Sequence, residues 1–419
     1  MTARLSILLV SAYFPPDTGS AAHLFYELGS ALVRKGHSVT VVTAKPAYHA
    51  QGDLSRYRCR LHVDEVCEGM RIRRIALPSL PRRIPLARGV WQLSAGLLLG
   101  IGALSIKRPD VCLIYSPPLT LTRAGTLLKW LREVPFVLNV QDLFPQSVID
   151  LGLLKNRFLI HLFERMEKRY YARADMITVH SEGNQDHLLK KGAPRTAVTV
   201  VPNWVDLEFV KPRPSQNELR SAQGLNDKFV ISFGGIMGYS QDLDTVLEAA
   251  SMLQSYEDVH FLLVGEGVEK PRLMRRSMEL GLRNVTFLPM MPREEYAKLL
   301  SASDATLATL RAEVRTPVVP SKILSSMAAG RPVILAMDLA GDAPRLVTEE
   351  ARCGLAVAPG DASGLARAVL ELRNDSALRR LLGTRGRQYV EKELSLEKAA
   401  ERYEQMFREV IGRKETPVD

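Results

Sequence analysis

Short continuous apolar runs punctuate the chain, separated by segments of helical period. In the first half they fall at residues 5–10 (LSILLV), 39–43, 111–115, 136–139, 176–180 and 198–202. The second half restarts the pattern at 229–233, 260–264, 285–288, 305–308, 332–335 and 354–357. Runs that are apolar throughout, rather than alternating, mark strands covered on both faces, as in a parallel sheet. Between the first two runs, residues 21–35 carry Leu24, Leu28 and Leu32 at i, i+4 and i+8, and Gly36 stops the predicted helix. That is one strand–helix–strand unit. The fold class predicted is α/β: two doubly wound, Rossmann-like domains facing a cleft, over residues 1–208 and 209–395. Residues 210–221 (VKPRPSQNELRS), rich in proline and polar side chains, read as the linker. The amphipathic stretch 396–411 reads as a helix that packs back on the first domain.

One segment departs from this rhythm. Residues 89–106 (GVWQLSAGLLLGIGALSI) contain no charge, with Arg82, Arg83 and Arg88 before them and Lys107 and Arg108 after. Their length just reaches a membrane span, but the strand at 111–115 follows at once and needs this segment as its crossover helix. Two readings stay open: a helix lying at an anionic membrane surface with its basic flanks on the headgroups, or a core helix apolar all round.

The chain has 419 residues, enough for two cores, and a net charge of +10. Residues 1–200 hold +12 and the remainder −2, so the basic excess lies in the first half. An anionic partner is expected there: nucleic acid, acidic lipid or a phosphorylated substrate. Basic clusters interleaved with aromatics are absent from it, which argues against nucleic acid. Four cysteines (Cys59, Cys67, Cys112, Cys353) make no disulfide framework, and Cys59 and Cys67 flank His62 without a C-x-x-C pair, so no metal site is expected. A reduced, cytoplasmic compartment fits. The amino terminus reads as a first core strand rather than a signal peptide.

Ligands of open α/β sheets bind beyond the carboxyl ends of the strands. After the first strand come Gly19 and Ser20 at a helix start, where N–H groups face a phosphate. After residues 136–139, the turn Gln141-Asp142-Leu143-Phe144-Pro145 presents Asp142, either to a cleft or as a cap of the next helix. The second half offers the flexible turn Gly234-Gly235-Ile236-Met237-Gly238, and then Gly265-Glu266-Gly267 with Lys270 one turn on. Its most informative stretch is 318–334 (VVPSKILSSMAAGRPVI). There Pro320 and Ser321 open a helix, Ser321 as cap, Lys322 adds a full positive charge, and small residues after Ile323 let the helix approach the sheet. G-x-G-x-x-G is missing after the first strand, against a dinucleotide oxidoreductase.

These residues resemble a known family. V-Q-D-L-F-P (140–145), H-S-E-G-N (180–184), V-P-N-W-V-D (201–206), G-E-G (265–267), V-P-S-K (319–322), A-A-G-R-P-V (328–333) and Pro359-Gly360-Asp361, in this order, are similar to the family 4 retaining glycosyltransferases of GT-B fold. The likeness is greatest to the transferases of amino and deoxy sugars in bacterial O-antigen, capsule and colanic acid assembly, and it spans nearly the whole chain. It implies a nucleoside-diphosphate sugar, UDP-linked, as donor substrate, and neither metal nor other cofactor. Ser321 and Lys322 would sit at the diphosphate, with Pro320 and Ile323 beside them. Gly265, Glu266, Lys270 and Met291 would lie near base and ribose, and Gly235 and Gly238 alongside. Gly19 and Asp142 would reach across from an acceptor domain that receives a lipid-linked sugar at the inner membrane surface. On that reading Asp142 and Lys322 carry the chemistry, and the enzyme is cytoplasmic and peripheral, held by its basic half and residues 82–108.

The sequence also departs from the family pattern. Pro317 and Ser325 stand where a Glu-x7-Glu pair is usual, no cation follows the Gly-Gly turn, and Gln141 replaces the histidine of a common H-D pair. Arg311 and Arg315, just before V-P-S-K, are the candidates for the missing phosphate cations. A nucleotide-sugar 2-epimerase of similar architecture and a non-catalytic nucleotide-sugar-binding relative are the alternative readings.

Overall fold

The computed structural model describes residues 3–17, 20–46, 54–80 and 85–415. Gly19, Arg82 and Arg83 lie outside them. The chain divides into two units, one taking in residues 1–148, 154–203 and 396–419, the other 149–153 and 204–395.

The first unit is built on an eight-stranded sheet: β1 (Ser6–Ser11), β2 (Ser38–Ala44), β3 (His62–Cys67), β4 (Met70–Ile75), β5 (Val111–Ser116), β6 (Phe136–Val140), β7 (Met176–Val179) and β8 (Val198–Val200). Their order is β3-β4-β2-β1-β5-β6-β7-β8, parallel but for the antiparallel β3–β4 pair. The central strands are buried on both faces, with Leu8, Ile114 and Leu138 on one side and Leu9, Leu113 and Val137 on the other all at 0% exposure, which is why they read as unbroken apolar runs. The edge hairpin β3–β4 escaped that criterion. Its strands alternate, β4 burying Met70 and Ile72 while Arg71 points outward.

Residues 85–104 form the helix Pro85–Leu104, the crossover into β5. Trp91, Ala95, Leu99 and Ala103 are buried on one stripe, and Val90, Leu93, Leu97 and Ile101 are exposed on the other. The segment is therefore apolar on both faces for two separate reasons, one half core and one half surface. Among the described residues no helix is long and apolar enough to cross a membrane.

The helix Leu396–Glu415 completes the first unit. Tyr403 and Phe407 are fully buried, and Glu404 pairs with Lys35 at 3.3 Å.

The second unit holds a parallel sheet of β9 (Phe229–Gly234), β10 (Val259–Val264), β11 (Val285–Leu288), β12 (Ala305–Thr309), β13 (Val333–Ala336) and β14 (Gly354–Val357), in the order β11-β10-β9-β12-β13-β14. Strand order reverses between β9 and β12, as it does between β1 and β5 in the first unit. Such reversals open crevices at the strands' carboxyl ends. Within 210–221, whose composition reads as linker, Val210 and Arg220 are buried. Arg220 donates to the carbonyls of Ala302 (2.7 Å) and Lys228 (3.1 Å) and pairs with Asp304, so this stretch is stitched to the sheet rather than free.

Candidate functional site

In the second unit the candidate residues gather where β9, β10 and β12 end. The turn after β9 and the turn after β10 lie against each other, backbone to backbone. Gly235 N–H donates to Val264 C=O (2.9 Å), Met237 N–H to Glu266 C=O (2.8 Å), and Glu269 N–H to Met237 C=O (3.1 Å). A Cβ on Gly265 would sit 1.8 Å from the Gly235 oxygen, and one on Gly267 2.2 Å from the Met237 oxygen. The G-E-G pattern is a packing requirement: only glycine lets these two turns approach so closely. Gly238 makes no such demand, since a Cβ there would meet only Ile236 at 3.7 Å.

Lys270 holds this arrangement rather than offering a free charge. Its ammonium donates to Gly265 C=O (2.8 Å), Leu288 C=O (3.0 Å) and the Glu266 carboxylate (2.8 Å), tying the turn to the end of β11. Met291 packs among Leu225, Val264 and Leu299, while Met290 is exposed.

The helix Ser321–Ala328 starts beside these turns. Ser321 does not cap it: Pro320 occupies the capping position and has no side chain to accept an N–H, and Ser321 is the exposed first helical residue. The Ser321 and Lys322 amides have no preceding helical carbonyl to reach, so this end keeps those two donors and a partial positive charge. Ile323 is fully buried and its N–H donates to Pro320 C=O (3.0 Å), placing it in the core beneath the site.

Lys322 runs back under the turn after β9. Its Nζ lies 3.7 Å from the centre of the Phe233 ring, donates to Gln241 Oε1 (3.1 Å), and stands 3.5 Å from where a Gly235 Cβ would be. Desolvation by these neighbours pushes its pKa down to about 7, so the positive charge expected from sequence is weakened by its surroundings. Phe233 and Gln241 were not among the predicted residues. Gln241 stands seven residues beyond the strand end, and only the path of the lysine brings it into the site.

The two arginines before V-P-S-K fare differently. Arg311 is drawn into a network, 3.4 Å from Asp244 and 3.7 Å from Glu269, beside Arg272, which binds Asp244 through both guanidinium nitrogens. Arg315 is exposed.

In the first unit Asp142 follows β6. Its carboxylate reaches solvent, yet the atoms crowded about it desolvate it and hold its pKa above the ordinary aspartate value. The buried Tyr115 phenol at the end of β5 is pushed up by its own burial and then by Asp142 and Tyr13. A polar network fixes the residue before Asp142. Gln141 donates to Asn203 Oδ1 (2.9 Å) and Asn139 Oδ1 (3.0 Å), and Asn203 donates back to Gln141 Oε1 (2.7 Å). Asn139 in turn donates to Thr178 Oγ1 (2.9 Å) and to the Tyr403 hydroxyl (2.8 Å). His180 Nε2 lies 3.2 Å from Gln141 C=O. Thus the V-Q-D, H-S-E-G-N and V-P-N-W motifs meet in space, and the glutamine that replaces the usual histidine is matched by Asn203. The sequence held that signal only as two amides 62 residues apart.

Asn203→Ala is expected to cost about 1–2 kcal/mol, because it leaves the Gln141 side-chain oxygen without its donor. Thermal melting should then fall by roughly 3–6 °C, and an unchanged transition would show that the amide pair contributes nothing.

Comparison with known proteins accords with this geometry. Residues 18–204 match the family described as glycosyl transferase 4-like domain, and residues 227–375 match glycosyl transferases group 1. The chain is 24% identical over 369 residues to the probable glycosyltransferase WbjE of Pseudomonas aeruginosa, covering 87% of this chain and 89% of that one. It is 26% identical over 347 residues to the putative colanic acid biosynthesis glycosyl transferase WcaI of Escherichia coli K12, covering 78% and 82%. Among solved structures, Anabaena Alr3699/HepE in complex with UDP and glucose superposes with a TM-score of 0.73 at 16% identity, covering 97% of this chain and all of that one.

Proposed function

From the premise that this chain belongs to the family 4 glycosyltransferases of GT-B fold and is a glycosyltransferase, we propose that it moves a sugar from UDP, with retention of configuration, onto a lipid-linked glycan precursor of a bacterial surface polysaccharide. The observation that carries the donor half is the meeting of two glycine turns with the open start of the helix Ser321–Ala328. Backbone can approach a ligand there without side chains intervening, and free amides face whatever lies in front of them. A diphosphate satisfies those amides and the Lys322 charge together. HepE, a neighbour in fold, is described in complex with UDP and glucose, which is in keeping with UDP as the donor nucleotide. The names of WcaI and WbjE favour a polysaccharide product.

On this reading catalysis rests on stabilising the departing diphosphate. Negative charge grows on its oxygens as the sugar–phosphate bond breaks, and the helix start and Lys322 offset it, a contribution of about 3–4 kcal/mol for a well-placed donor. Those groups take the part a divalent cation plays in other transferases. Asp142 orients the acceptor hydroxyl or the sugar, held in place by the Gln141–Asn203 pair. Arg315, which is exposed, is proposed to add positive charge around the donor, whereas Arg311 is committed to Asp244 and Glu269. The enzyme works at the cytoplasmic face of an anionic membrane, its first unit resting there through residues 82–108, where Val90, Leu93, Leu97 and Ile101 are exposed.

The test is a melting series with UDP, GDP and dTDP at saturating concentration, with and without chelator. A ligand at a hundred times its Kd adds about 2.7 kcal/mol, so UDP should raise the transition by roughly 5–10 °C and chelator should leave the rise intact. No rise with any of the three would remove the donor reading.

A further inference from the structure

The helix Arg157–Tyr171 follows the Asp142 turn, and its surface is divided along its length. One stripe faces inward: Glu167, Tyr170 and Tyr171 are buried, and the Phe163 ring lies 5.1 Å from Phe144, two residues after Asp142. The opposite stripe begins with Phe158 (75% exposed), Leu159 and Leu162, and continues through the exposed Arg165 and Arg169. At 1.5 Å per residue, Arg165 stands about 5 Å and Arg169 about 10 Å behind Leu162. Asn156 caps the apolar end, accepting from the amides of Phe158 (3.0 Å) and Leu159 (3.2 Å), so its first amides are met locally.

The exposed charge along this helix and at its two ends has one sign: Lys155 and Arg157 stand at the tip, and Arg165, Lys168, Arg169 and Arg173 follow behind it. Glu164 is already paired with Lys191 at 2.6 Å, and Glu167 is buried beneath the helix. An apolar wedge backed by cations matches the layering of an anionic bilayer, with acyl chains first and phosphates behind.

We propose that the amino-terminal half of this helix is a lipid-docking tip: Phe158, Leu159 and Leu162 enter the acyl boundary of an anionic bilayer while Arg157, Arg165 and Arg169 meet the phosphates. The inference rests on the lipid-linked acceptor proposed above and adds a second point of attachment beside the Asp142 turn. With Phe144 against Phe163, docking holds that turn at the level of the headgroups, where the reacting end of a lipid-linked acceptor lies.

The full chain is tested by sedimentation with vesicles of phosphatidylcholine and phosphatidylglycerol (3:1), and with phosphatidylcholine alone. Binding to the anionic vesicles is expected, and Phe158→Ser/Leu162→Ser should weaken it at least tenfold with an unchanged circular dichroism spectrum and UDP-induced melting shift. Leu93→Ser/Leu97→Ser should leave the remainder of the binding in place. Wild-type affinity in the Phe158/Leu162 variant would overturn the proposal, and so would equal binding to neutral vesicles. A wild-type dimer that the same substitutions convert to monomer would also overturn it, since the tip would then cover a second copy of the chain. Nucleotide titration reads the donor site independently. Vesicle binding without nucleotide binding removes the donor reading and spares the tip, and the reverse result removes the tip alone.

Discussion

A UDP-sugar is expected to lose about 25-fold in affinity between pH 6.5 and 8.5, with little change below pH 6.5. The cause is Lys322, whose pKa is pushed down to about 7 by desolvation against Phe233 and the turn after β9. A diphosphate beside it favours the ammonium and raises that pKa in the complex. Below pH 7 the ammonium is already present and affinity is flat. Above it, each binding event must first capture a proton, so affinity falls about tenfold per pH unit until the raised pKa of the complex is reached. UDP-glucose is the better probe, because the terminal phosphate of UDP itself titrates near pH 6. Calorimetry in two buffers of different ionisation enthalpy should show uptake approaching one proton at pH 8. Lys322→Arg should flatten the profile, and Lys322→Met should flatten it while lowering turnover about 10²–10³-fold. A wild-type profile with no slope above pH 7 would place the diphosphate away from Lys322.

Gly265→Ala is expected to abolish nucleotide binding, by at least about a hundredfold. Its methyl would lie 1.8 Å from the Gly235 oxygen, and the obstacle is backbone on both sides, with no flexible side chain to yield. The two turns must separate, at a cost of about 2–3 kcal/mol, and the surface they offer the ligand separates with them. Scanning calorimetry should show the transition lowered by roughly 5–10 °C. Gly238→Ala is the control: its Cβ meets one side chain at 3.7 Å, so nucleotide affinity should stay within about threefold of wild type. Equal effects at the two positions would refute the argument from close approach.

How much of this the sequence disclosed depends on the kind of pattern. The parallel strands were legible because burial on both faces leaves continuous apolar runs, as at Leu8 and Leu9 or Leu262 and Leu263. The β3–β4 hairpin and the helix Arg157–Tyr171 were not, since one alternates at a sheet edge and the other carries a charge or tyrosine at nearly every position of its second half. Glycine turns could be placed after their strands, but their mutual contact could not, because it joins residues 30 apart. Side-chain commitments were least visible. Lys270 and Arg311 read as free cations in one dimension, and in three they are spent on Gly265, Glu266, Asp244 and Glu269. Lys322 was identified but its charge was overstated, because the ring beneath it comes from a strand almost 90 residues earlier.

The helix Leu396–Glu415 belongs to the first unit, with Tyr403 bonded to Asn139 and Phe407 fully buried. A ribosome therefore supplies this piece of the first unit only after the whole of the second unit has been made. Until then β6 lacks its tyrosine partner and the face of the sheet under that helix stays wet, while the carboxy-terminal half already has every strand it needs. Nascent chains should thus acquire protease resistance in the later-made half first, and a stop codon before residue 396 should leave the earlier-made half unfinished.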